Sequence, residues 1–128
     1  MTWSDGGAWI DVDTASGDTL LSSDAFAGAI LEFPANADFS YRAHNNMTRA
    51  TDLPFMLNRI LLSGMYTGAV PRSAELDGNE LLFTRDLVGA PPEIHIAASG
   101  TSFAYTVEND LVLYDDLVLG GDGDVTVD

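Results

Sequence analysis

Apolar and polar residues alternate at every second position through most of the chain, the period of half-buried β-strands. Ala8, Ile10 and Val12 alternate with Trp9, Asp11 and Asp13, and Thr14-Ala15-Ser16-Gly17 supplies turn residues before Leu20-Leu21, which predicts an N-terminal hairpin. Residues 22–33 read as a loop followed by a strand, Ala29 to Phe33, ending at Pro34. Phe39, Tyr41 and Ala43 alternate with Ser40, Arg42 and His44 and predict a further strand that stops at Asn45-Asn46.

One segment breaks the period. Leu53, Met56, Leu57, Ile60 and Leu61 fall at helical spacing behind an N-cap at Thr51 or Asp52, with Pro54 in the first turn and Gly64 as a stop. This predicts an α-helix. Phe55 and Leu62 lie off its apolar stripe, which implies either deep burial of the helix or, through these two residues, a second contact with another subunit.

Beyond Tyr66 the chain reads as an antiparallel meander. Ala74-Glu75-Leu76 and Leu81-Leu82-Phe83 flank Asp77-Gly78-Asn79, residues that accept the positive φ of a hairpin turn. Ile94 to Ala97 and Phe103 to Val107 flank Ser99-Gly100, and Asn109-Asp110 leads into Leu111 to Tyr114. The C-terminal segment 120–128 begins rich in Gly and Asp and ends in a strand-like alternation. No repeat of solenoid length is visible; Asp110-Leu111-Val112-Leu113 recurs as Asp116-Leu117-Val118-Leu119, which strand chemistry produces by chance. The expected fold is a single mainly β domain over 1–128, an antiparallel sandwich or small barrel of short strands with one α-helix.

Charge changes this picture. Five basic residues, Arg42, Arg49, Arg59, Arg72 and Arg85, stand against 20 acidic ones; there is no lysine, and the formal net charge is -15. With 46% hydrophobic residues the chain can still bury a core. In dilute buffer such a surface repels itself, whereas at about 1 M salt the Debye length falls to about 3 Å and the repulsion is screened. The usage resembles that of haloarchaeal proteins and of the viruses that infect such cells. It disfavours nucleic acid and anionic membranes as partners, since both require clustered bases. No apolar run reaches the roughly 20 residues of a membrane-spanning helix, and the start lacks the pattern of a secretion signal.

Candidate chemistry is sparse. Glu93 and His95, two apart on a predicted strand, share a face and are weak metal-ligand candidates. Asp122 and Asp124 lie in a run similar to the Gly and Asp repeats of calcium-binding β-helices, with the aspartate one place early and no repetition. Asp11-x-Asp13 fails as a calcium loop because Ala15, Ser16 and Ser22 occupy required positions. There is no cysteine, no nucleophile elbow and no phosphate-binding glycine loop.

These features predict a non-enzymatic structural protein without a cofactor, partnered by copies of itself and other structural proteins, in a virion or the cytoplasm of a halophilic host. In outline a β domain with one helix resembles the tail, connector and capsid-decoration proteins of tailed viruses. The alternative is a small β-barrel ligand-binding protein or enzyme of a haloarchaeon, with Glu93, His95 and His44 or Arg42 in one pocket.

Overall fold

Each long strand finds its partner not in the next strand along the chain but one full turn of chain later. The computed structural model describes residues 2–5, 10–11, 16–17, 28–36, 38–48, 52–63, 66–97, 103–122 and 125–128. Its strands are β1 (Ile10–Asp11), β2 (Ser16–Gly17), β3 (Ile30–Pro34), β4 (Tyr41–Asn45), β5 (Phe55–Leu57), β6 (Arg59–Ser63) and β7 (Arg72–Gly78). They continue with β8 (Leu81–Phe83), β9 (Glu93–Ile96), β10 (Phe103–Val107), β11 (Leu111–Leu113), β12 (Val118–Gly121) and β13 (Val125–Val127). Sheet I has the order β12-β9-β6-β3, sheet II β13-β10-β7-β4 and sheet III β11-β8-β5. Every pairing in these three sheets is parallel.

The chain therefore visits sheets I, II and III in turn and then starts again, so that β3-β4-β5, β6-β7-β8, β9-β10-β11 and β12-β13 are successive coils of a solenoid. The expected antiparallel sandwich or barrel is thereby corrected. Among the described residues β1 and β2 form the one antiparallel ladder, Ile10 opposite Gly17.

Register stacks like residues on like. Leu31, Ile60, Ile94 and Leu119 form one inward row, and Phe33, Leu62, Ile96 and Gly121 a second. Ala43, Leu76, Val107 and Val127 form a third, while Phe55, Leu81 and Leu111 and then Leu57, Phe83 and Leu113 line sheet III. In the first three coils most of these side chains are almost fully buried. Each adds about 1.5–3 kcal/mol of hydrophobic stabilisation. Trp3 closes the first coil: Thr2 bridges to His44, the Trp3 amide donates to the His44 carbonyl at 3.0 Å, and its buried ring packs 5.7 Å from Phe33 and 5.4 Å from Phe55.

The expected helix is absent from the described residues and is replaced by β5, a corner at Asn58, and β6. Phe55 and Leu57 point inward, Asn58 turns the chain, and Ile60 and Leu62 point inward again. Of the predicted stripe only Leu57 and Ile60 lie in the inward rows; Met56 and Leu61, apolar residues on the other side of β5 and β6, complete the helical spacing. Phe55 and Leu62 are core residues with 0% exposure, which decides for deep burial and against the subunit contact. The hairpin expected at residues 77–79 is a corner too, while the one expected at Ser99-Gly100 lies outside the described residues. Asp77-Gly78-Asn79 does contain the positive φ that its residues suggested, at Gly78 (100°), but it carries the chain from sheet II to sheet III.

Buried amides hold the corners. At the exit from sheet II, Asn45 Nδ2 and Asn109 Nδ2 both donate to the Asn79 carbonyl, at 3.1 and 3.0 Å, and the Asn79 amide donates to the Asn45 carbonyl at 2.7 Å. Between sheets III and I, Asn58 Nδ2 donates to the carbonyls of Thr84 and Ala90 at 2.9 and 3.1 Å. At the turn from sheet I to sheet II, the Tyr105 hydroxyl donates to the Ser63 carbonyl at 2.7 Å, and the Tyr41 hydroxyl to that of Pro34 at 2.7 Å. Burial first, and then the neighbouring Tyr105 phenol, raise the Tyr41 pKa above the ordinary range; burial and the Glu32 carboxylate do the same to Tyr105.

Candidate functional site

Parallel stacking places residues of successive coils about 4.8 Å apart on the outer faces. Polar residues distant in sequence thereby meet. On sheet II, Arg42 lies opposite Glu75 and His44 opposite Asp77. Arg42 Nε is 3.0 Å from Glu75 Oε1, its terminal nitrogen contacts Asp77, and His44 Nδ1 is 2.9 Å from Asp77 Oδ1. Glu108, just past β10, brings a third carboxylate: Glu75, Asp77 and Glu108 each offer an oxygen within 4.8 Å of the others. Arg42 and His44 already serve Asp77, which is largely buried, so its charge is compensated by protein groups.

Sheet I carries a similar arrangement. Glu93 and His95 project from the same side of β9, as their spacing predicted, with His95 Nδ1 2.7 Å from Glu93 Oε1. Arg59 of the preceding coil lies 3.6 Å from Glu93. Gly120, opposite His95 in the next coil, leaves room for this pair: a Cβ there would stand 2.5 Å from Glu93 Oε1. In both clusters a carboxylate fixes Nδ1 of an imidazole that is nearly half exposed, an orientation suited to hydrogen bonding through the other nitrogen. The two histidines belong to different sheets, so Glu93 and His95 do not share a pocket with Arg42 and His44. Asp122 is exposed at the end of β12; Asp124 lies outside the described residues. Glu75, Asp77 and Glu108 went unnoticed in the sequence. The signal was available in part, because Arg42-x-His44 and Glu75-x-Asp77 show the same one-face spacing as Glu93-x-His95, but register alone joins them.

The other notable surface is the end of the solenoid. β11, β12 and β13 are the outermost strands of sheets III, I and II, and among the described residues nothing pairs with their outer edges. Leu113, Leu119 and Val127 occupy inward rows there yet are 51%, 61% and 43% exposed, since among the described residues no further coil lies over them. Asp115, Asp116, Asp122 and Asp128 surround this end. At the opposite end, the Trp3 ring packs on Phe33 and Phe55 of the first coil and is buried.

No helix among the described residues is long and apolar enough to cross a membrane. The chain matches no protein-family model, no curated protein and no solved structure.

Proposed function

We propose that this chain is a structural, self-associating module of a halophile, a short rigid solenoid that acts by adding copies to an assembly; a virion component of a halophilic virus is its most specific form. The observation that carries this reading is the open end of the solenoid, where, among the described residues, Leu113, Leu119 and Val127 of the core rows and the outer edges of β11, β12 and β13 face solvent. Contiguous apolar surface beside unpaired main-chain groups marks an association site. The acidic, lysine-free composition supports a saline setting, because copies bearing a net charge of -15 approach one another closely when salt screens them. The outward clusters support a scaffold role as well, since their cations join one coil to the next.

The test is the mass of the purified chain by light scattering or sedimentation between about 0.1 M and about 3 M KCl, the range over which the Debye length falls from about 10 Å to below 3 Å. The expected result is a monomer at the low end and a defined oligomer at the high end. A monomer throughout overturns the reading.

A further inference from the structure

We draw no further inference here: the strongest candidate, the carboxylate trio of Glu75, Asp77 and Glu108 on the outer face of sheet II, belongs to a cluster already described in which Arg42 and His44 compensate Asp77, and nothing else among the described residues points to an ion held there.

Discussion

Asn58 is the residue through which the solenoid turns from sheet III to sheet I, and removing its side chain tests whether buried amides hold the coils closed. Asn58 is 2% exposed. Its Nδ2 donates to the carbonyls of Thr84 and Ala90, the two ends of the turn that carries Leu87 and Val88. Its main-chain amide donates to the Ala29 carbonyl at 2.9 Å and its carbonyl accepts from the Glu93 amide at 3.1 Å, so those contacts survive substitution. Asn58→Ala thus removes two hydrogen bonds and leaves two partly buried carbonyls without that donor. A net hydrogen bond contributes about 1 kcal/mol, and an unsatisfied buried group costs about 1–3 kcal/mol, so the expected loss is about 2–4 kcal/mol. Asn58→Asp is sterically equal but directs a carboxylate at two carbonyl oxygens, and it is expected to lose more than alanine.

Urea denaturation in about 3 M KCl, followed by far-UV circular dichroism, reads both losses as shifts in midpoint at constant m. Amide exchange supplies a second readout. The turn is also closed by Asp86 Oδ1, which accepts from the amides of Val88 and Ala90 at 3.0 and 2.8 Å, and these amides should exchange faster in Asn58→Ala. A loss below about 0.5 kcal/mol, or an Asn58→Asp variant no less stable than Asn58→Ala, would refute the argument.

Three other outcomes are expected. Gly121→Ala should destabilise by at least about 2 kcal/mol, because Gly121 has φ +97° and an added Cβ would sit 1.9 Å from the Ile96 carbonyl oxygen, whereas Gly89→Ala, at φ +87° with open space, should lose about 1 kcal/mol; equal losses would dismiss the coil-to-coil clash as the cause. Trp3→Ala should cost about 3–5 kcal/mol in urea, a value below about 1 kcal/mol meaning that Trp3 does not seal the first coil. Because the folded state raises the pKa values of Tyr41 and Tyr105, their stabilisation is intact below the ordinary value of 10.0 and is lost as pH rises beyond it; absorbance at 295 nm should show these phenols ionising together with loss of circular dichroism, and an early, independent ionisation would count against their burial.

Individual strands were legible because period-2 alternation is a local property. Ile30–Pro34, Tyr41–Asn45, Glu93–Ile96 and Phe103–Val107 coincide closely with the alternating runs in the sequence. Partners were not legible, since a strand's side-chain alternation is the same beside a parallel neighbour as beside an antiparallel one. The turn residues at 77–79 announced a reversal without saying into which sheet the chain goes. The solenoid repeat was hidden by unequal coils: the shared inward row is occupied by Leu31, Ile60, Ile94 and Leu119, at three different separations, and its residues are interchangeable aliphatics. The false helix has another origin: the apolar Met56 and Leu61, on the outer sides of β5 and β6, stand at helical spacing to the inward Leu57 and Ile60. Of the candidate residues, Glu93 and His95 could be paired from spacing alone, while the partners of Arg42 and His44 lie in the next coil.

Stacking coils in register has an electrostatic cost that an acidic chain must meet, because equal outward positions recur about every 4.8 Å along a row. The chain has five arginines, and Arg42, Arg59 and Arg85 each face a carboxylate of the following coil: Glu75 and Asp77, Glu93, and Asp115. These cations thus stand where acids would otherwise adjoin without relief. Arg42→Gln separates the two components of such a contact. The pair with Glu75 is substantially exposed, worth about 0.2–1 kcal/mol in moderate salt and largely screened in brine. Asp77 is 8% exposed and loses a partner that salt does not replace, although His44 stays beside it. Urea midpoints for Arg42→Gln should therefore show a destabilisation that shrinks between about 0.5 M and 3 M KCl without vanishing. A loss independent of salt would assign Arg42 to packing alone, and one that disappears in brine would mean that Asp77 does not need it.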